Sequence, residues 1–143
     1  MTSKDEIRQA SSRFYDALNS MAHGDANPMR AIWAHSPDAT AQHPIGGRDM
    51  GSETVLGSFA KVAAIAEGGE IALTDQHIDM AGDMAVETGI EAGSITLAGH
   101  TAAINQRVTN VYRRVDGGWK IQHHHTDVAP AMLDILAKLA PPA

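Results

Sequence analysis

Three consecutive histidines, His123, His124 and His125, are the residues of this chain best suited to chemistry. The imidazole side chain titrates near neutral pH, so a histidine that faces a cavity can accept or donate a proton there. The surrounding segment alternates like a β-strand, which places successive side chains on opposite faces. One face would carry Trp119, Ile121, His123 and His125, and the other Lys120, Gln122, His124 and Thr126. Alternation alone does not decide which face is internal, because helices can bury one face of a sheet and a second subunit the other.

These histidines also have other interpretations. Their rings could simply hydrogen-bond to backbone or carboxylate groups and stabilise the sheet. Two histidines at positions i and i+2 could bind a transition metal, but such a site needs further ligands, which the sequence does not place near them. The chain has no cysteine, which excludes disulfides, thiolate zinc sites and a cysteine nucleophile. The sequence therefore predicts neither a metal nor a cofactor.

Composition limits the class of protein. The 143 residues are enough for a single domain, 1–143. With 11 Lys and Arg against 17 Asp and Glu, the formal charge of −6 argues against nucleic-acid binding. No stretch approaches the roughly 20 apolar residues of a membrane helix, and the N-terminus lacks the apolar run of a secretory signal. We expect a soluble, cytoplasmic protein that binds neither nucleic acid nor a membrane.

The elements that would position the histidines follow from periodicity and turn residues. Helical spacing of apolar residues predicts helices over residues 4–22, from Asn27-Pro28 to Trp33, over residues 52–66 and from Pro130 onward. Gly68-Gly69 would end the third helix, and Gly46-Gly47-Arg48 would form a turn leading into it. Period-two patterns and turn residues predict strands from Thr40 to Pro44, Glu70 to Met80, Met84 to Ser94, His100 to Val115 and Trp119 to Val128. This order favours an α+β fold with an antiparallel sheet covered by helices on one face.

Several segments resemble a known family. The stretch from Val108 to Thr126, with its Asp116-Gly117-Gly118-Trp119 turn, resembles the closing hairpin of the SnoaL-like and ketosteroid-isomerase-like branch of the nuclear transport factor 2-like (NTF2-like) superfamily. The first helix, Arg13 to Asn19, and the strand Asp38 to Gly46 resemble the same family. The resemblance implies a cone-shaped, curved antiparallel sheet wrapped around N-terminal helices, a cystatin-like α+β barrel with an apolar cavity open at one end.

The resemblance also suggests site residues. Ketosteroid isomerases place an acidic general base directly before the proline of the first strand, where this chain has His43, which is either a base or a polar lining residue. The family's oxyanion hole corresponds to Phe14, which has no donor, and to Asn110, which can donate through its amide. Tyr15 lies about 100° further around the helix and would not replace Phe14. By the same comparison, Tyr112, His124 and Thr126 face the cavity.

The remaining candidates lie at its edges. Trp33 could line the mouth or belong to the core, and Arg107 could either bind an anionic group of a substrate or pair with Asp127 or Glu87. Glu87 and Glu91 are interpreted as solvated strand carboxylates. The resemblance puts Trp119, Ile121, His123 and His125 on the outer sheet face, where relatives dimerise, and a β-bulge could exchange the two faces. We therefore predict a homodimer through that face.

Two functions are compatible with these residues. The first is a cofactor-independent isomerase, dehydratase or cyclase that acts by proton transfer on a small apolar or carbonyl-containing compound. His43 would be the base, Asn110 the donor to a developing oxyanion, and His124 a second acid or base; Phe14, Trp33, Tyr112, Thr126 and Arg107 would bind substrate. The second is a non-catalytic ligand-binding or oligomerisation module, since His123-His124-His125 resembles the closing pattern of calcium/calmodulin-dependent kinase association domains.

Overall fold

The computed structural model describes residues 3–139. Within this range the helices are α1 (Ser3–Ala22), α2 (Met29–Ile32), α3 (Ser52–Ala63) and α4 (Pro130–Leu139). The strands are β1 (Thr40–His43), β2 (Gly46–Met50), β3 (Ala66–Ala81), β4 (Met84–Leu97), β5 (His100–Val115) and β6 (Gly118–Thr126). The predicted α+β class is confirmed. No helix in this part of the chain is long and apolar enough to cross a membrane.

All the strands join one curved sheet in the order β2-β1-β6-β5-β4-β3. Neighbouring strands are antiparallel except β1 and β6, which run parallel and pair Ala41 with His124. Helix α1 packs against β3, β4 and β6. Its apolar stripe is buried as predicted, through Ile7, Ala10, Phe14, Ala17, Leu18 and Met21. The sheet therefore wraps around the N-terminal helices, and the core lies between them.

The chain departs from the predicted boundaries around α3. Gly46, Gly47 and Arg48, which were predicted as a turn, lie in strand β2. Helix α3 ends at Ala63, and β3 already begins at Ala66. Gly69 therefore lies inside a strand, where an added Cβ would overlap the Ser94 carbonyl oxygen of β4. Its φ of 134° also favours glycine. Gly69 therefore allows β3 and β4 to approach each other closely and does not end a helix.

A β-bulge on β6 corrects the predicted faces of that strand. Val111 of β5 pairs with His123, but the next β5 residue, Tyr112, pairs with Ile121, which leaves Gln122 as the extra residue. The bulge reverses the alternation, as an unpaired residue must. Trp119 and Ile121 consequently lie in the core with 6% and 1% exposure, and the prediction that they form the outer face is wrong. Of the four predicted outer residues, His123 and His125 remain there.

Candidate active site

An interior cavity of about 50 Å³ lies between α1, α3 and the concave face of the sheet. Most of its wall is apolar, formed by Leu18, Met21, Pro44, Ile45, Phe59, Val62, Ile71, Ile95, Ile104 and Met132. The polar groups at the wall are His43, Ser58, Glu91, Gln106 and His124. Met132 comes from α4, so the C-terminal helix contributes to closing this space. The aliphatic wall with a few polar groups is typical of a small-molecule site.

His124 reaches the cavity from β6, as predicted. It is 2% exposed, and its ring lies between the Phe14 ring, at 5.0 Å between centroids, and the Phe59 ring, at 6.4 Å. Its Nδ1 lies 2.6 Å from Asn110 Oδ1, and Nε2 has no partner among residues 3–139. Burial is the main cause that lowers the pKa of His124 to about 3. The ring is therefore neutral near pH 7.

His43 enters the same cavity from the end of β1. The β1–β2 hairpin brings Asp49 beside it, with His43 Nε2 2.7 Å from Asp49 Oδ2. Since a carboxylate only accepts, Nε2 carries a proton and Nδ1 has the lone pair in the neutral ring. Nδ1 has no partner among residues 3–139. The rings of His43 and His124 are 6.5 Å apart between centroids, so the two predicted histidines do share one space.

Asn110 is buried, with 0% exposure, and its amide is fully occupied. Its Nδ2 donates to the Tyr15 hydroxyl at 3.1 Å and to Glu87 Oε1 at 3.0 Å, while its Oδ1 faces His124. An amide nitrogen has two hydrogens, so neither is left for a substrate oxygen. In this arrangement Asn110 supports His124 and is not the oxyanion donor predicted from the sequence.

Two buried glutamates of β4 correct the expectation that they are solvated. Glu87 is 0% and Glu91 2% exposed. Glu91 lines the cavity and accepts from the Tyr15 hydroxyl at 2.9 Å and from Gln106 Nε2 at 2.8 Å. Burial raises the pKa of the Glu91 carboxyl above its usual range, although these two hydrogen bonds oppose the rise. Glu91 is thus a carboxyl group biased towards its protonated form at the cavity wall.

Glu87 lies deeper and gathers three donors. Tyr112 donates to its Oε1 at 2.8 Å beside Asn110, and Gln76 donates to its Oε2 at 2.6 Å. Burial and the adjacent Glu87 charge raise the pKa of the Tyr112 hydroxyl, which therefore stays protonated and keeps donating. Tyr112 was predicted to face the cavity and bind substrate, but it is not among the lining residues, and its hydroxyl is directed to Glu87.

The other predicted binding residues have different surroundings. Phe14 packs on His124, and Trp33 is a core residue 6.5 Å from Phe14 between ring centroids. Thr126 is buried, and within residues 3–139 its Oγ1 has no hydrogen-bond partner. Arg107 does not line the cavity: its side chain is 81% exposed and makes two hydrogen bonds to the Asp127 carboxylate, at 2.9 Å each. The substrate-clamp interpretation of Arg107 is therefore replaced by the surface ion pair.

Sequence reasoning missed Tyr15, Glu87, Glu91 and Gln106. Strand alternation could have identified three of them. Glu87 and Glu91 lie on the same strand face as buried Ala85 and Ile95. Gln106 lies on the same strand face as Asn110. Tyr15 is buried beside Phe14 because the inner face of α1 is wider than its apolar stripe. Among residues 3–139, no group of three or more His, Asp or Glu side chains is placed to hold a metal ion.

Known proteins share this architecture. A proposed dehydratase of the NTF2-like family from Streptomyces avermitilis is 28% identical, covers 87% of this chain and 94% of its own, and superimposes with a TM-score of 0.77. A proposed scytalone dehydratase from Novosphingobium aromaticivorans is 13% identical, with 86% and 81% coverage and a TM-score of 0.72. A proposed calcium/calmodulin-dependent protein kinase type II association domain from Thiobacillus denitrificans is 23% identical, with 83% and 91% coverage and a TM-score of 0.67. The last two likenesses show the fold alone.

No curated protein matches the chain significantly in sequence. A family model, the SnoaL-like domain, matches residues 7–131. This range contains most of α1, every element from α2 to β6, both histidines of the cavity and both buried glutamates. The chain therefore belongs to the SnoaL-like domain family of the NTF2-like superfamily.

Proposed function

We propose that this protein is a cofactor-independent enzyme of the isomerase, dehydratase or cyclase type, which acts by proton transfer on a small, largely apolar compound bearing carbonyl and hydroxyl groups. One observation carries the proposal. His43 and His124 line one cavity, and each ring has one nitrogen held by a side-chain oxygen and the other without a partner among residues 3–139. Held imidazoles with a free nitrogen are suited to accept protons and hydrogen bonds from a ligand.

His43 is the general base in this proposal. Asp49 fixes the ring through Nε2, so Nδ1 can take a proton from carbon, and the carboxylate then stabilises the imidazolium that forms. A positioned base of this kind contributes about 10²–10⁴ in rate. The role predicted from the sequence is retained, with Asp49 added as its positioning residue.

His124 and Glu91 would interact with the substrate's oxygen atoms, His124 by hydrogen bonding and Glu91 by proton donation. With a pKa of about 3, His124 stays neutral, and its Nε2 would accept a hydrogen bond from a substrate hydroxyl. Glu91, whose pKa burial raises, would donate a proton to the leaving hydroxyl in a dehydration. The carboxyl group thereby supplies the acid that the occupied Asn110 amide cannot.

The cavity must enlarge to admit a substrate. Ligand pockets are commonly about 300–1,000 Å³, against about 50 Å³ here. Met21 and Met132 form part of the wall, and unbranched methionine side chains adapt readily to a new shape. The proposed dehydratase from Streptomyces avermitilis, which is 28% identical to this chain, supports the reaction class.

The small volume also favours a second candidate, a non-catalytic oligomerisation module like the association domain of similar fold. Its interface, and the homodimer interface of the enzyme, would be the outer sheet face. Val86, Val111 and His123 lie side by side there across β4, β5 and β6. Light scattering at micromolar concentration tests the dimer, which a monomeric mass would contradict.

A dehydration screen tests the enzyme proposal. Purified protein is incubated with a panel of small β-hydroxy ketones, and formation of the conjugated enone is followed by ultraviolet absorbance. We expect turnover of at least one compound, a loss of about 10²-fold or more in His43→Gln, and no change in His23→Gln, which alters an exposed histidine. Equal turnover by the wild type and His43→Gln would remove the base from the proposal.

A further inference from the structure

The buried hydrogen bonds around His124 have a common direction. Gln106 and Tyr15 both donate to Glu91, while Tyr112 and Gln76 both donate to Glu87. Asn110 links the two halves by donating to Tyr15 and to Glu87. Donors therefore converge on two carboxyl groups, and His124 is the group at the other end of the chain of bonds.

The direction determines how the Asn110 amide is oriented. The side of the amide that faces Glu87 Oε1 and the Tyr15 hydroxyl is the donor side, at 3.0 and 3.1 Å. The Tyr15 hydroxyl already donates its hydrogen bond to Glu91, so its oxygen acts as an acceptor towards Asn110. The carbonyl oxygen of Asn110 must then face His124, at 2.6 Å from Nδ1.

The amide orientation in turn determines the tautomer of His124. An amide oxygen accepts only, so the hydrogen bond requires the proton of the neutral ring on Nδ1. Nε2, which has no partner among residues 3–139, is left with its lone pair. If the amide were reversed, its NH₂ group would face Nδ1, the proton would move to Nε2, and His124 would become a donor at the cavity.

We infer that Glu87 is a positioning residue that sets the hydrogen-bonding polarity of the cavity: through Asn110 it holds His124 as the Nδ1–H tautomer with Nε2 as an acceptor. Glu87 does not line the cavity, so this effect is transmitted through Asn110. The inference rests on the proposed function in giving Nε2 a substrate-facing role. It specifies that the ligand group opposite His124 is a hydroxyl or another donor, whereas a carbonyl oxygen would meet a lone pair.

Nitrogen-15 NMR of the free protein tests the inference without a substrate. Histidine labelled at both ring nitrogens distinguishes the two tautomers by their nitrogen shifts and long-range proton couplings, and His124→Asn identifies the His124 signals by their loss. We expect the wild type to show the Nδ1–H form at pH 7. Glu87→Gln keeps an oxygen acceptor for Asn110 and should keep this form.

Glu87→Met removes the carboxyl group with an adaptable side chain of similar length, and Glu87→Leu is a second variant of the same kind. In either variant we expect the Nε2–H tautomer to appear as a substantial fraction. Gln76→Ala is the matched control, because it removes a donor to the same carboxyl group at its other oxygen. It should retain the wild-type spectrum.

Two results would overturn the inference: an Nε2–H tautomer in the wild type, or an unchanged Nδ1–H tautomer in folded Glu87→Met or Glu87→Leu. The wild-type spectrum decides the first point even if the variants do not fold. Failure of the dehydration screen would leave these spectra unaffected. Conversely, a wrong tautomer would leave proton abstraction by His43 untouched.

Discussion

The neutral, buried state of His124 predicts a pH dependence of stability that a single substitution removes. The pKa of its imidazole is about 3 in the folded protein, against the ordinary 6.5 of a histidine side chain. Below pH 6.5 the unfolded chain therefore binds a proton that the folded protein excludes, and folding loses stability as the pH falls. The free energy of unfolding that depends on this group is intact above pH 6.5 and decreases from there towards pH 3.

The magnitude follows from proton linkage. One proton gives a slope of about 1.4 kcal/mol per pH unit where the group is charged only in the unfolded chain. The slope is partial between pH 7 and 6 and nearly full between pH 6 and 5, so the two units together amount to about 2 kcal/mol.

Urea unfolding of the wild type and His124→Asn at pH 5, 6 and 7 measures this effect. Asparagine can keep a donor near the position of Nδ1 towards Asn110 and does not titrate. The stability difference between wild type and variant should change by about 2 kcal/mol between pH 7 and 5, in the direction that weakens the wild type at low pH. His125→Gln, on the exposed side of the same strand, controls for the loss of a histidine. Parallel pH profiles of wild type and His124→Asn would refute the burial argument.

Three further predictions test the cavity wall, the buried acid and the strand faces. Met132→Ala should lower the free energy of unfolding in urea by about 2–5 kcal/mol, and by enlarging the cavity it should speed ligand entry. Leu133→Ala, at a partly exposed residue of the same helix, should lower the free energy of unfolding by less. Equal losses in the two variants would contradict the packing of α4. Glu91→Gln should gain stability relative to the wild type as the pH rises above about 4.5, because the raised pKa of Glu91 means that ionisation of its carboxyl group opposes folding. A difference in unfolding free energy between the two proteins that does not change with pH would contradict this. Trp119→Ala should cost about 3–5 kcal/mol of unfolding free energy without changing the oligomeric mass, whereas dissociation of a dimer by a folded variant would place Trp119 at the interface after all.

Much of the fold could be predicted because its elements carry local signals. The stripe of α1, the strand His100–Val115 and the turn Asp116-Gly117-Gly118 agree with the structure. Strand β2 lacks such a signal, because its glycines are typical of a turn and its stability comes from pairing with β1. The bulge at Gln122 is likewise set by pairing with β5. The resemblance placed His124 inward correctly, but alternation carried on from it without a bulge put Trp119 and Ile121 on the wrong face.

The site was partly predictable for a different reason. His43 and His124 were found by resemblance to the family, and both line the cavity. Glu87 and Glu91 were assigned to solvent from their spacing along the strand, although a carboxyl group can be buried where it has partners. Those partners are remote in sequence: Tyr15 and Glu91 are 76 positions apart, and Tyr112 and Glu87 are 25 apart. Only the folded sheet brings them together.

In the proposed reaction, His43 removes a proton from carbon inside this cavity. Deuterium incorporation at the α-carbon of small enolisable ketones in D₂O, followed by proton NMR, measures that step directly and does not require the complete reaction. We expect exchange catalysed by the wild type and by His23→Gln, and a loss of about 10²-fold or more in His43→Gln. Exchange at the same rate in His43→Gln as in the wild type would contradict it.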